Sequence, residues 1–416
     1  MLQGAGSLTF RLGQSDLMEA TIRPSPTGIV KTFGFWNTSA WVVWVTAFVV
    51  VIARTVLLSH RGTSFGTYQL AGVHWVHGEN VYSQWMGFVY SPIVAAFFGA
   101  LSCVPFVLGS IIWQLLNGLV LLGGLAAVLK VNLFPGINRR NFGIAYLLLV
   151  PLVLGNLDIS QANPLVAGLL LLAIAAVRVE RWNSAAWCVA IATLFKIYPI
   201  AIGLLICVIA PRRFGWRLLL AIVLLIVAPF LFQHWSYVSD QYHAWITTRT
   251  SDDRRNWPVE KLPLDLWFLL HWLGRLPITP TIYRLIQLGT AGALALFCAV
   301  QARKGWATDR VLAGLFCFAS TWMTLCGPAT ESYTYILLAA PTTLALVQAF
   351  NARQPAWLRA WIAAAFALQL LAVARASFMP HFKPFWALSI QPFSALVFLG
   401  YSLFWLYNDS LWAQDE

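Results

Sequence analysis

The chain has 416 residues, of which 59% are hydrophobic and only 10% charged, far below the roughly 25% charged residues of a soluble globular domain. That composition excludes a water-soluble fold and makes lipid the solvent. Lys and Arg number 27 against 15 Asp and Glu, yet they come as pairs in short loops between apolar runs. Such spacing argues against a nucleic-acid partner and for cytoplasmic loops facing membrane lipids.

The first 36 residues carry Arg11, Asp16, Glu19, Arg23 and Lys31 without a continuous apolar run, so they read as an N-terminal cytoplasmic tail and not as a cleaved signal. A helix needs about 20 predominantly apolar residues to cross the hydrocarbon core. The first span is expected at 41–58, followed by a polar stretch at 59–87 long enough for short interfacial helices. Apolar segments follow at 88–106, 108–129, 142–157 and 164–177. Segment 184–211 has Lys196 and Pro199 at its middle and basic residues at both ends, which suits two short helices meeting at a turn. Later spans are expected at 215–232, 279–301, 311–326, 333–350, 357–374 and 385–407.

The expected fold is therefore all-α, a polytopic integral membrane protein with about 10–13 transmembrane helices. A single membrane domain would cover 37–408, with outward loops at 59–87 and 233–277 and a C-terminal tail at 409–416. Arg303 and Lys304, then Arg353 and Arg359, mark cytoplasmic loops. One region conflicts with that scheme: two crossings after the 59–87 loop would place Lys130, Arg139 and Arg140 outside, unless one segment is re-entrant. The sequence contains no tandem or inverted repeat of the kind seen in many transporters.

Ionisable groups are expensive in hydrocarbon, so acidic residues near the outward span ends are the functional candidates. They are Glu79, Asp158, Asp252, Asp253, Glu260, Asp265 and Glu331. A group transferase needs a carboxylate near the acceptor hydroxyl and cationic or N–H donors for a departing phosphate. Both kinds of group are present. The six cysteines lie in or at the ends of apolar segments and read as small buried hydrophobes. The histidines lack an HExxH-like spacing, and no haem motif or dinucleotide fingerprint occurs, so neither a catalytic metal nor a bound cofactor is expected.

Several short motifs occur in order along the chain: Arg61-Gly-Thr-Ser-Phe-Gly-Thr-Tyr68, Gly78-Glu-Asn-Val-Tyr82, Val89-Tyr-Ser-Pro92, Ser160-Gln-Ala-Asn-Pro164, Phe195-Lys-Ile-Tyr-Pro199 and Cys326-Gly-Pro-Ala-Thr-Glu331. Together they resemble the GT-C glycosyltransferases, specifically the polyprenol-phosphate-mannose-dependent α-mannosyltransferases of the family 87 type. The resemblance implies a GT-C-like fold with short interfacial helices in the first outward loop. It also implies inverting transfer of a hexose, mannose by analogy, from a polyprenyl-phosphate-sugar donor to a lipid or glycan acceptor at the outer face of the cell membrane. Where relatives carry an Asp-Phe, with the Asp as base, this chain has Ser64-Phe65, and where they carry a histidine group it has 331–334. A serine cannot act as that base at neutral pH, so another carboxylate is needed.

Glu331 is the first candidate base, with Glu79 and Asp253 behind it; the bland reading of Glu331 is a helix-start acid stabilised by the dipole. Lys196 is the candidate for the donor phosphate, or else a snorkelling lysine. Arg254 and Arg255 would clamp the same phosphate, or form a solvated charge network with Asp252 and Asp253. Gln161, Asn163, Tyr68 and Tyr333 are candidates for sugar or acceptor contacts, with Asn163 expected to cap the helix that begins near Pro164. Trp235, Tyr237, Tyr242, Trp245 and Trp257 read as interface anchors before sugar platforms. The alternative of a different class is a non-enzymatic protein that binds or moves an isoprenoid lipid, including a family member that lost catalysis with its Asp.

Overall fold

A computed structural model describes residues 34–58, 62–82, 87–255, 258, 262–328, 330–379 and 381–412. The chain runs through α1 (Phe35–Leu57), α2 (Ser64–His77), α3 (Pro92–Ser102), α4 (Phe106–Lys130), α5 (Phe142–Asp158), α6 (Asn163–Arg178), α7 (Trp182–Phe195) and α8 (Ile200–Ile209). It continues through α9 (Trp216–Val227), α10 (Trp235–Ser251), α11 (Pro280–Arg303), α12 (Thr308–Leu325), α13 (Ile336–Asn351), α14 (Ala356–Phe378), α15 (Phe385–Leu388) and α16 (Ile390–Tyr407). No strand occurs among the described residues. Counting the single turns that extend α9 and α13, 7 of these helices are long and apolar enough to cross a membrane. Of the tail expected at 1–36, residues 1–33 lie outside the described residues and α1 already begins at Phe35; the chain is an all-α multi-pass membrane protein.

Polar locks at the helix ends fix the direction of each pass. The Asn37 amide donates to the Arg139 carbonyl at 3.2 Å and accepts from the Gly143 N–H at 2.7 Å, while Arg54 pairs with Asp158 at 2.8 Å. Helices α1 and α5 therefore run parallel. Gln114, near the start of α4, donates to the Thr55 hydroxyl at 2.9 Å, so α4 runs the other way. At the end where α4 finishes, Arg178 pairs with Asp309, Arg213 with Glu180 and Arg310 with Asp409. At the opposite end, Ser91 donates to the Leu194 carbonyl, Tyr283 to that of Leu325 and Gln391 to that of Ser332. Helices α1, α4, α5, α6, α7, α8, α9, α11, α12, α13, α14 and α16 thus alternate in direction between the two ends.

Close approach between α4 and α6 requires glycine. A Cβ on Gly124 would collide with the Gly168 carbonyl, and one on Gly168 with the backbone at Val120 and Leu121. Small residues of this kind let helix backbones meet and gain dispersion where no hydrophobic effect separates helix from lipid. Helix α13 occupies the middle of the bundle and is buried from Ile336 to Ala349.

Two expectations are settled by these elements. Segment 88–106 does not cross: α3 has 11 residues, about 16 Å at 1.5 Å per residue, roughly half of the hydrocarbon thickness. It folds back on α2, with Gly72 against the Phe98 backbone. Removing that crossing brings Lys130, Arg139 and Arg140 to the same end as Arg303, Lys304 and Arg353, and the charge conflict disappears. Segment 184–211 is the expected pair: α7 stops at Phe195, Lys196 has extended backbone (φ −147°, ψ 132°) and Pro199 caps α8.

Candidate functional site

The turn between α7 and α8 carries Lys196 to the end of the bundle where α2, α3 and α10 lie. Its Nζ is 5.9 Å from the centroid of the Tyr198 ring, and the charges that act on it are Glu331, Arg254 and Arg249. No hydrogen bond or ion pair of the Lys196 ammonium occurs among the described residues. Arg254 is held on two sides, by Asp252 at 2.8 Å and by Glu331 at 2.6 Å. Asp252 also pairs with Arg249 at 3.2 Å, so one carboxylate spaces two guanidinium groups at the C-terminus of α10. The resulting group holds three cations, Lys196, Arg249 and Arg254, and two anions, Asp252 and Glu331.

Tyrosines and amides form one wall of this group. The Tyr68 and Tyr90 hydroxyls lie 2.9 Å apart, and Tyr82 donates to the Tyr90 carbonyl at 2.7 Å. Burial pushes the Tyr68 phenol up to about 12, so it stays a neutral donor at physiological pH. The Tyr198 hydroxyl reaches Asn163 Oδ1 at 3.5 Å. Asn163 Nδ2 in turn donates to the Tyr333 carbonyl at 3.0 Å and to Asn156 Oδ1 at 3.2 Å.

Asn163 is therefore not the cap expected of it. It is the first residue of α6, Ala162 holds the cap position, and its side chain ties α6 to α5 and to the turn before α13. Pro164 already removes one of the unsatisfied N–H groups there. Gln161 follows Ser160, a non-glycine residue at φ 59°, and its Oε1 is buried without a partner among the described residues.

The three candidate carboxylates do not share a place. Glu331 belongs to the Lys196 group and precedes a single turn, Ser332–Tyr335, its N–H donating to Thr334 Oγ1 at 3.3 Å. Asp253 is held by Arg255 at 2.6 Å, which keeps its carboxyl below the usual range. Arg255 lies 5.6 Å from the centroid of the Trp267 ring, so that pair is neutral and separate. Glu79 follows the Gly78 cap of α2 on the surface, 3.8 Å from His74 Nε2 and 59% exposed. Of the loop aromatics, Tyr237, Tyr242 and Trp245 donate to the carbonyls of Glu79, Ile226 and Val89; Trp257 lies outside the described residues.

Tyr90, Tyr198, Asn156 and Arg249 were not singled out as site residues by sequence reasoning. The two tyrosines sit inside the quoted motifs and were legible there. Arg249 has no local signal, because its pairing with Asp252 appears only once α10 ends between them. No three His, Cys, Asp or Glu side chains converge as a metal site among the described residues.

A cationic, tyrosine-walled group thus lies at one end of a multi-pass helical bundle. The family model for glycosyltransferase family 87 matches residues 88–328, more than half of the 416, and the chain belongs to that family. It is a membrane glycosyltransferase. The match contains Lys196, Arg254, Asn163 and Gln161, while Tyr68, Ser64, Glu331 and Tyr333 lie beyond its limits. Among curated proteins, no sequence matches the chain.

Proposed function

We propose that the protein transfers a hexose, mannose by the resemblance, from a polyprenyl-phosphate sugar to an acceptor hydroxyl, with inversion at the anomeric carbon. The observation that carries this reading is the charge of the Lys196 group. Three cations and two anions leave one positive charge, and a polyprenyl-phosphate sugar is a phosphodiester with one negative charge. A nucleotide-diphosphate sugar brings two and leaves the site with an excess anion in a medium where uncompensated charge is costly.

The products preserve the balance. The acceptor oxygen forms its bond to C1 as the C1–O bond to phosphate breaks, and that electron pair leaves with polyprenyl phosphate, now a dianion. The acceptor proton passes to Glu331, so the group's own charge rises from one to two as the phosphate's falls from minus one to minus two. Lys196 and Arg254 stabilise the charge that develops on the leaving group, which is where electrostatic catalysis acts. In the free protein Glu331 neutralises Arg254 at 2.6 Å; a phosphate on that guanidinium releases the carboxylate for its role as base. Tyr68, Tyr333, Gln161 and Asn163 are assigned to the sugar and the acceptor.

Sidedness follows from charge. The opposite end carries Lys130, Arg139, Arg178, Arg213, Arg303 and Arg353 with few acids, and such loops stay cytoplasmic. The Lys196 group then faces outward across the cell membrane. The test is transfer of radiolabelled mannose from synthetic polyprenyl-phosphate mannose by purified protein in nanodiscs. Wild type transfers and Glu331→Gln loses at least a hundredfold in kcat, in line with the roughly 10²–10⁴-fold effect of general acid–base catalysis. Saturable donor binding without any transfer would favour a non-enzymatic lipid-binding protein.

A further inference from the structure

At the end of the bundle opposite the Lys196 group, the junctions of α6 with α7 and of α8 with α9 carry Arg178, Arg181, Arg212, Arg213 and Arg217. The chain leaves α6 through Glu180, whose φ of 56° lies in the left-handed region that favours glycine, and the Arg181 N–H donates to the Ala176 carbonyl at 2.8 Å. Pro211–Gly215 forms one wide helical turn before α9. Phe214 is buried and holds that turn against the bundle, which leaves Arg212 and Arg213 exposed. Arg213 reaches Glu180 at 2.8 Å and so brings the two junctions together, while Arg178 pairs with Asp309. Arg181, Arg212 and Arg217 have no carboxylate partner among the described residues.

Arg217 is held without being neutralised. Its Nε donates to Asn183 Oδ1 at 2.8 Å and an Nη to the Arg213 carbonyl, both uncharged acceptors, and its guanidinium lies 4.4 Å from the centroid of the Trp216 ring. A guanidinium carries five N–H donors, so donors remain for a ligand. Trp182 lies 6.0 Å from the Arg213 guanidinium, and two indoles, which favour the membrane–water boundary, thus flank the cations. Beyond them, Leu220 and Leu224 follow Arg217 along one face of α9, each 47% exposed. The segment Pro211–Leu231 is long and apolar enough to cross a membrane, and little of it is buried inside the bundle. A cationic head site therefore stands at the start of an apolar strip, which is the charge order of a phospholipid.

We propose that these junctions bind an anionic phospholipid of the bilayer, with Arg181, Arg212 and Arg217 on its headgroup phosphate and its acyl chains along Leu220 and Leu224. A zwitterionic lipid brings an ammonium that the surplus cations repel, whereas a headgroup of net negative charge offsets them. Soluble phosphate has the charge but no chain for α9. A phosphate shared by Arg181 and Arg212 ties the start of α7 to the turn after α8, the base of the helix pair that carries Lys196. The site lies outside the Lys196 group and stands whether or not a sugar is transferred.

The test uses the full chain in phosphatidylcholine nanodiscs doped with phosphatidylglycerol or phosphatidylcholine that carries a diazirine in one acyl chain. Light should attach the phosphatidylglycerol probe to α9 peptides about tenfold more than the phosphatidylcholine probe, since one arginine near a charged lipid surface is worth up to about fivefold. Arg181→Gln, Arg212→Gln and Arg217→Gln should each lower that preference by about two- to fivefold, and the triple variant should abolish it. Glu180→Gln, which frees Arg213, should raise it, a gain that misfolding does not produce. Arg139→Gln, at the same end of the bundle but beside α1, should leave it unchanged. Equal labelling by the two lipids makes α9 an ordinary lipid-facing helix and overturns the proposal. An equal loss in Arg139→Gln does the same by assigning the preference to the basic surface at large. Displacement of the probe by millimolar inorganic phosphate makes the site one for a soluble anion and likewise overturns it, as does a lower preference in Glu180→Gln.

Discussion

Lys196→Gln is the sharpest perturbation of the proposed chemistry, because it keeps a polar, unbranched side chain and removes one charge from the group around it. Lys196 is half-buried and has no bonded partner of its own among the described residues, so the substitution leaves no carboxylate stranded. Two unit charges about 4 Å apart interact by roughly 4 kcal/mol at an effective dielectric constant near 20. Partial exposure and the nearby Arg249 and Arg254, which share the phosphate, reduce this to about 2 kcal/mol, or roughly 30-fold. The loss should appear in kcat as well as in KM, because the phosphate gains its second negative charge only as the C1–O bond breaks. Initial rates of mannose transfer in nanodiscs at low ionic strength, over a range of donor concentrations, measure both. Lys196→Arg, which keeps the charge, should remain within about fivefold of wild type, since one hydrogen bond is worth roughly 1 kcal/mol. Values of kcat/KM within threefold of wild type for Lys196→Gln, in protein that still elutes as wild type, would refute the assignment of this lysine to the leaving phosphate.

The two arginines next to each other in sequence should separate in function: Arg254→Ala should lower kcat/KM about tenfold or more and Arg255→Ala less than threefold, read in the same transfer assay, because Arg255 is neutralised by Asp253 outside the group. Ser64 opens α2 within reach of the Tyr68 hydroxyl, so Ser64→Asp in a Glu331→Gln background should restore at least tenfold of the lost kcat. No gain in the double variant would show that position 64 does not reach the acceptor hydroxyl. Asp265, between α10 and α11, accepts from the Phe268 N–H at 3.1 Å, and burial pushes its carboxyl up to about 7. A carboxyl raised on folding favours the folded state below its ordinary value near 3.8, and that contribution disappears as pH rises toward 7. Melting temperature should therefore fall between about pH 4 and pH 7 in wild type and fall less in Asp265→Asn, followed by tryptophan fluorescence.

Much of this protein was legible without coordinates because lipid simplifies the rules. With no water to satisfy backbone groups in the hydrocarbon core, apolar length alone signals helices, and paired basic residues signal the cytoplasmic ends. The break at Lys196 was readable for the same reason, since Pro199 cannot continue a hydrogen-bonded ladder. Segment 88–106 misled because hydropathy counts apolar residues and does not see α3 folding onto α2, where the partner burying it is another helix and not lipid. Asn163 misled similarly: its local sequence is that of a cap, but Asn156 and the Tyr333 carbonyl, far apart in the chain, compete for its amide and hold it.

Sequence by itself determined the solvent, the helices, the basic ends and the motifs that carry Lys196 and Glu331, all of which depend on composition or on neighbours within a few residues. Only the tertiary structure decided which carboxylate stands with Lys196. Glu79, Asp253 and Glu331 are equivalent as acidic residues in polar loops, and what separates them is distance to cations contributed by other helices. Coulomb energy depends on that separation in space and not in sequence. The net charge of the Lys196 group exists only where α7, α10 and the turn before α13 meet.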